Sequence, residues 1–129
     1  ERTASRALER LGQQDGHDTI RIRLLLAAGM CAVGSGRMSA AEPRFLDALA
    51  RSRAIAARTL EADAVGSLAT LHARTGRHRE AELAYEWIAA FAANTGDRKR
   101  EASVINELAL LRMYESRHTD GALPARTGL

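Results

Sequence analysis

The sequence predicts an all-α protein built from repeated pairs of helices. The first observation is an internal repeat with a period of forty residues, in which apolar and small side chains return in phase. Leu25, Ala28, Gly29, Ala32, Gly36, Arg37, Ala41 and Phe45 return as Val65, Leu68, Ala69, His72, Gly76, Arg77, Ala81 and Tyr85. A fixed period is typical of a repeat array, because one repeat cannot bury its apolar face until a neighbour stacks on it.

Composition is the second observation, and it agrees with a packed helical chain. The 129 residues are 46% hydrophobic and 27% charged, so the chain can bury a core and is not of the disordered class. Aromatic residues make up only 4%, which suits close helix packing better than a sandwich or a barrel. The formal net charge of +3 permits acidic partners without requiring them.

The third observation is amphipathic spacing interrupted by turn residues. Apolar side chains three and four positions apart predict a first helix over residues 4–14, which stops at Asp15-Gly16. A second helix is predicted over residues 19–33, and it ends in the Gly34-Ser35-Gly36 turn.

The capping-box pattern Ser39-Ala40-Ala41-Glu42 predicts the start of a third helix. This helix tolerates Pro43 in its first turn and continues to about residue 57. Further helices are predicted over residues 59–74, 79–94 and 97–114. Beyond residue 114 the pattern weakens, because Gly121 and Pro124 fall where another helix should follow.

These elements predict one helical repeat domain over residues 1–118 and an irregular C-terminal tail over 119–129. The domain is expected to hold a partial repeat over 1–16 and repeats over 17–57, 58–96 and 97–118. The chain begins without a methionine inside an amphipathic pattern, so we expect it to be part of a larger protein.

The cysteine usage favours a cytoplasmic location. Cys31 is the only cysteine, which excludes an intrachain disulfide and favours a reducing compartment. It matches Leu71 and Leu111 one and two periods later, so we expect a buried, inert thiol. The longest uncharged stretch, which lies between Arg23 and Arg37, is too short to cross a bilayer, and no membrane partner is expected.

The copies resemble tetratricopeptide repeats. In that family the first helix of a pair carries a bulky apolar residue, then Leu-Gly, then Tyr, and the second carries Ala and Phe. The matching residues here are Val65, Leu68, Ala69, His72, Ala81 and Tyr85, with Leu25, Gly29, Ala41 and Phe45 one period earlier. The resemblance implies a right-handed superhelical array of antiparallel helix pairs, a tetratricopeptide-like α-solenoid. Gly29, Ala69 and Ala109 are expected where paired helices cross and no larger side chain fits.

The match departs from the family pattern at several points. His72 and Arg112 replace the tyrosine, the closing proline is missing, and the period is forty residues instead of thirty-four. The longer period, with the run over 105–111, is similar to repeats of the kinesin light chain type. Such arrays occur in bacterial signalling and regulatory proteins, which implies the sensing or assembly part of a larger intracellular bacterial regulator.

The resemblance also implies a concave groove for a protein or peptide segment, lined by the first helix of each pair. In this register the groove residues are Arg23, Leu26, Met30 and Val33, then Asp63, Gly66, Thr70 and Arg74, then Ser103, Asn106, Leu110 and Met113. Apolar side chains and flexible methionines suit a helical or extended peptide, and Asn106 matches an asparagine that bonds the ligand backbone in kinesin-type repeats. For each single residue the alternative is an ordinary solvated position.

No pattern predicts catalysis, a cofactor or a metal ion. The glycine-containing run over 34–39 lacks the lysine of a phosphate-binding loop and follows a helix instead of a strand. His17, His72, His78 and His118 have no metal-ligand spacing. We therefore expect a protein that is not an enzyme.

Two alternatives to peptide binding remain. Arg44, Arg51 and Arg58 recur every seven residues, Arg2, Arg6 and Arg10 recur every four, and Arg98-Lys99-Arg100 forms a cluster. Such stripes suit a nucleic-acid or polyanion-binding array, although a solvated outer face also explains them. The second alternative is a homodimer formed through open repeat ends.

Overall fold

The structure, a computed structural model, describes the backbone of residues 2–127 and the side-chain surroundings of residues 6, 10 and 16–117. Over residues 2–127 the chain forms five α-helices and no β-strand, which confirms the predicted all-α class. The helices are α1 (Arg2–Gly34), α2 (Met38–Ala54), α3 (Arg58–Arg74), α4 (His78–Thr95) and α5 (Arg98–Thr127). The bounds of α3 and α4 agree with the predicted ones to within one residue.

Short connections between these helices recur every twenty residues. Each contains one residue with a positive φ, namely Gly36, Ala56, Gly76 and Gly96, at 80°, 55°, 83° and 74°. The N–H of the next residue donates to the carbonyl five positions earlier, at 2.8–2.9 Å in all four connections. This is the long hydrogen bond of a Schellman motif, which ends a helix through a left-handed residue. The helices α2 to α5 accordingly begin at intervals of twenty residues, at positions 38, 58, 78 and 98.

Ala56 is the non-glycine residue among these four left-handed positions. The left-handed conformation costs an L-residue about 1–2 kcal/mol, and a glycine at this position would avoid that cost. Part of the stability gained in this way is lost again, because glycine has more conformational freedom in the unfolded chain. We expect Ala56→Gly to raise the free energy of unfolding by about 0.5–1 kcal/mol, measured by urea denaturation. Ala50→Gly, in the exposed interior of α2, is the matched control and should lower it by about 1 kcal/mol. A loss of stability in Ala56→Gly would contradict the assigned turn.

Burial along α2 and α4 follows the forty-residue period. The buried positions of α2 are Ala41, Phe45, Ala48 and Ser52, and those of α4 are Ala81, Tyr85, Ile88 and Ala92. Each position of the first set returns forty residues later in the second. The repeat seen in the sequence is therefore also a repeat of core positions in these two helices.

The chain divides into two compact units, Glu1–Leu71 and His72–Leu129. In the first unit α1 packs along α2, and Phe45 lies in one core cluster with Ala32, Val33, Leu68 and Leu71. A second cluster of this unit contains Ile22, Ala48, Leu60 and Ala64. In the second unit α4 packs against α5.

The small residues expected at helix crossings have different surroundings. A Cβ placed on Gly29 would lie 2.3 Å from Cε1 of Phe45, so no larger residue fits there. Ala69 is fully buried, as expected. Ala109 is exposed, and the prediction for it is wrong. The buried residues of α5 include Leu108 and Leu111, and Ala109 lies about 100° around the helix from Leu108.

The predicted helix break at Asp15-Gly16 is wrong, because α1 runs without interruption from Arg2 to Gly34. Gly16 is exposed, and a Cβ built on it would meet no atom within 4 Å. A single glycine in a helix costs about 1 kcal/mol relative to alanine, which does not end a helix that continues on both sides.

The start of α2 also differs from the prediction. The helix begins at Met38 with Arg37 at its N-cap position, and no side chain there makes a capping hydrogen bond. Ser39 therefore lies inside the helix instead of capping it, and Pro43 lies in the second turn instead of the first. The missing N–H of Pro43 leaves the carbonyl of Ser39 without its helical donor, and Ser39 is an exposed residue that water can reach.

Cys31 is exposed, so the expectation of a buried thiol is wrong. The buried side of α1 includes Gly29, Ala32 and Val33. Cys31 lies about 200° around the helix from Gly29 and points away from that side. Leu71 and Leu111, its counterparts in the repeat, are buried.

The C-terminal helix is longer than predicted. α5 continues through Gly121 and Pro124 to Thr127, where an irregular tail was expected from residue 119 onward. Pro124 lies within the last turn of α5, where a helix loses one hydrogen bond to proline and then ends three residues later.

Candidate binding site

The exposed side of α5 carries the four residues that the repeat register assigned to a groove. Val104, Leu108 and Leu111 form the buried side of this helix, at 6%, 7% and 6% exposure. The four predicted groove residues, Ser103, Asn106, Leu110 and Met113, are all exposed, and we call them the α5 stripe. Leu110 and Met113 are each more than half exposed, at 52% and 53%. Spacings of three, four and three residues place the stripe on one side of the helix.

The groove residues predicted on α1 are split between surface and core. Arg23 and Met30 are exposed. Leu26 is partly buried and packs against both core clusters of the first unit. Val33 is only 3% exposed, so its assignment to a groove is wrong. Leu26 and Val33 pack into the core of the first unit because they lie next to the other buried positions of α1.

The residues predicted on α3 are mostly half-buried. Thr70 donates its hydroxyl hydrogen bond to the carbonyl of Gly66 at 3.1 Å, within the same helix. Asp63 is half-buried, and its main-chain carbonyl accepts a hydrogen bond from the Ser67 hydroxyl at 3.0 Å. Arg74, at the end of α3, is exposed. Asp63 and Thr70 belong to the first compact unit and Arg74 to the second.

An open cavity of about 220 Å³ lies in the second unit, and we call it the α4–α5 cavity. Its lining residues are Ala73, Arg74, His78, Tyr85, Glu107, Leu110, Leu111 and Tyr114. The cavity therefore joins Arg74 and Leu110, two of the predicted groove residues, with side chains that the sequence had not assigned to a site. Its walls are largely apolar and aromatic, as is usual for binding sites.

His78 and Tyr114 form an aromatic contact at the edge of this cavity. Their ring centroids are 5.1 Å apart and their planes are tilted by 45°. Nδ1 of His78 is buried and has no hydrogen-bond partner among the residues that the structure describes. This contact joins the first residue of α4 to α5, so it braces two walls of the cavity.

Two opposite charges lie at the cavity, Arg74 and Glu107. Both residues are exposed. Within the described part of the chain neither forms a salt bridge, whereas Arg112 and Glu86 pair at 3.7 Å in the same unit. Arg74 and Glu107 can therefore each interact with an opposite charge on a ligand.

Sequence reasoning assigned neither His78 nor Tyr114 to a site. His78 precedes the predicted helix over residues 79–94, and Tyr114 is the last residue of the predicted helix over 97–114. Tyr114 follows Leu110 by four residues and Glu107 by seven, which is the spacing of one helix side. The predicted helix over residues 97–114 includes Tyr114, so this spacing is the signal in the sequence that places Tyr114 beside the α5 stripe.

The predicted arginine stripes are partly neutralised. Nε of Arg51 donates to Oδ1 of Asp47 at 2.9 Å, whereas Arg44 and Arg58 are exposed. Arg6 and Arg10 are exposed too, and the side chain of Arg2 lies outside the described residues.

Asp97 engages one member of the basic cluster at the start of α5. Its Oδ1 accepts the Arg100 backbone N–H at 3.1 Å, and its Oδ2 accepts Nε of Arg100 at 3.2 Å. These bonds, the backbone one foremost, hold the pKa of Asp97 below its usual value. Asp97, Lys99, Arg100 and Ser103 line a shallow depression of about 330 Å³. The pairing of Arg100 reduces the positive charge that this depression offers to a polyanion.

No protein-family model, curated protein or solved structure matches this chain. Among the helices that the structure describes, none combines the length and the apolar character needed to cross a membrane. Over the same residues, no three His, Cys, Asp or Glu side chains group so that they could hold a metal ion.

Proposed function

We propose that the chain is a tetratricopeptide-like helical-repeat module that binds a protein or peptide segment. In this proposal its helix pairs form an α-solenoid, and the module is the sensing or assembly part of a larger regulatory protein. The proposal assigns it no catalytic role and no cofactor.

The regular spacing of the helices supports the repeat part of this proposal. Left-handed turn residues recur every twenty positions, and the buried positions of α2 recur forty residues later in α4. Helices and core positions that return at fixed intervals are expected of a repeat array, in which each unit contacts its neighbours in the same way.

The single observation that carries the binding role is the α5 stripe. Leu110 and Met113 leave about half of their side chains exposed on one side of α5, next to the exposed amide of Asn106. Clustered exposed apolar side chains mark interaction sites more often than scattered ones do. An amide that donates and accepts at once can bind a peptide backbone whatever its side chains are.

We expect Asn106→Ala to weaken binding without unfolding the chain. The probe is a peptide selected from a phage-displayed random library against the full 129-residue chain, and its Kd is measured by calorimetry. Loss of the amide contacts should raise the Kd about fivefold, while the free energy of unfolding stays within about 0.5 kcal/mol. Asn94→Ala, which changes an exposed asparagine on α4, is the matched control and should leave the Kd unchanged.

The same measurements separate peptide binding from polyanion binding. A peptide site on the α5 stripe should tolerate replacement of Arg44, Arg51 and Arg58 by alanine. A polyanion site should fail in that variant and lose affinity steeply between about 50 and 200 mM salt. Tight, salt-sensitive binding of unrelated DNA by the parent chain, with no selectable peptide, would contradict the proposed function.

A further inference from the structure

We infer that the α4–α5 cavity receives one large apolar side chain of the bound segment, and that this anchor is flanked in the segment by one acidic and one basic residue. The inference rests on the proposed function, because it names the feature by which a peptide is recognised. The anchor would occupy the cavity, the acidic residue would meet Arg74, and the basic residue would meet Glu107.

The size of the cavity limits its occupant to a single side chain. Its volume of about 220 Å³ is smaller than the pockets that enclose drug-sized ligands, which hold about 300–1,000 Å³. Leu110, Leu111 and Tyr85 give it apolar walls, which favour an aliphatic or aromatic anchor.

The surroundings of the cavity favour an anchor that belongs to a peptide over a free small molecule. The cavity is open, and the lining residues Leu110 and Tyr114 are 52% and 47% exposed. Met113, on the same side of α5, is 53% exposed. A single small molecule in the cavity would leave Met113 uncovered, whereas a segment that continues past its anchor would cover it.

The charges at the cavity define the residues on either side of the anchor. Arg74 and Glu107 belong to different helices and carry opposite signs, and no salt bridge within the described residues consumes either charge. A segment that carried charges of only one sign would leave either Arg74 or Glu107 without an opposite charge to interact with. Complementary charges of this kind set specificity and orientation more than affinity.

Helix geometry sets the spacing of those residues. From Glu107 to Tyr114 the α5 wall of the cavity is about 10 Å long at 1.5 Å per residue. An extended chain covers that length with about three residues. The charged residues of the segment should therefore lie within about three positions of the anchor.

Parallel library selections against variants of the full chain test this inference. Peptides selected on the parent should share one large apolar residue with an acidic and a basic residue close to it. On Glu107→Arg the selected peptides should lose the basic residue, and on Arg74→Glu they should lose the acidic one. Both positions are exposed, so these variants are expected to fold like the parent.

Filling the cavity provides a second readout. Leu110→Trp should raise the Kd of the parent's peptides about tenfold or more, because the larger ring takes the place of the anchor. Leu83→Trp is the matched control, since Leu83 is equally exposed on α4 and does not line the cavity. Its Kd should stay within about twofold of the parent value.

The outcomes separate this inference from the proposed function. Peptides that bind the parent, bind Asn106→Ala more weakly and yet tolerate Leu110→Trp would overturn the cavity inference and leave the peptide site in place. Selected peptides whose charges do not respond to either charge reversal would overturn it as well. A selection that yields no specific peptide contradicts the proposed function together with the inference.

Discussion

Phe45→Ala is expected to lower the free energy of unfolding by about 3–5 kcal/mol, the range measured when a buried phenylalanine is truncated. Phe45 is fully buried, and it lies in a core cluster with Val33, Leu68 and Leu71. These neighbours come from two other helices of the first unit, α1 and α3, so the cavity left by the ring cannot close by a local shift. Urea denaturation followed by circular dichroism measures the loss.

The neighbouring residue provides the control for this experiment. Leu46 is also apolar and lies on the same helix, but it is 51% exposed. Leu46→Ala should change the free energy of unfolding by no more than about 0.5 kcal/mol. Equal losses of unfolding free energy in Phe45→Ala and Leu46→Ala would contradict the orientation of α2, in which Phe45 faces the core and Leu46 faces solvent.

The second large effect is expected at Gly29, where Gly29→Ala should destabilise the chain by about 1–3 kcal/mol. The new methyl group would lie 2.3, 2.7 and 2.9 Å from three ring carbons of Phe45. Because that ring is fully buried, it cannot move aside into solvent. The strain should appear as a lower Tm and a lower urea midpoint.

Two further variants assign this effect to the contact with the ring. Gly16→Ala makes the same change in the same helix at an open site, and it should stabilise the chain by about 0.5–1 kcal/mol. In the double variant Gly29→Ala/Phe45→Leu, the smaller side chain makes room for the methyl group. Its cost should be smaller than the sum of the single costs by about 0.5 kcal/mol or more. If the costs of the two single variants were strictly additive, the strain of Gly29→Ala would not arise from contact with the Phe45 ring.

Much of the helical pattern could be predicted because turn residues and apolar spacing agree locally. The ends of α3 and α4 follow from such agreement, and so does the forty-residue recurrence of buried positions. The prediction failed where one local signal was given too much weight. Gly16 does not end α1, because the helix continues on both sides of it. Ser39 does not cap α2, because the helix already begins at Met38.

The twenty-residue period of the turns was not predicted, because one of the four turns has Ala56 in place of glycine. The connections recur every twenty residues, yet the left-handed position at Ala56 lacks the glycine that marks the other three. Sequence reasoning relies on glycine to find such turns, so it recognised only the forty-residue period. The hydrogen bond from the N–H of Ala57 to the carbonyl of Ser52 forms the turn without it.

The candidate site was predictable only along a single helix. The register placed Asn106, Leu110 and Met113 on one side of α5, and all three are exposed. The α4–α5 cavity was not predictable, because its walls come from different helices and a period does not specify which side chains meet. His78 and Tyr114 show this, since neither residue carries a local signal for the ring contact that they form.

The proposal that a peptide binds on α5 is tested most directly by NMR. Amide shifts of the full chain are followed while a library-selected peptide is added. We expect the largest saturable changes at Ser103, Asn106, Leu110 and Met113 and at the lining residues of the α4–α5 cavity. Weak changes are expected along the arginine-bearing side of α2. Changes confined to Arg44, Arg51 and their neighbours, or none at any position at saturating peptide, would contradict a peptide-binding site on α5.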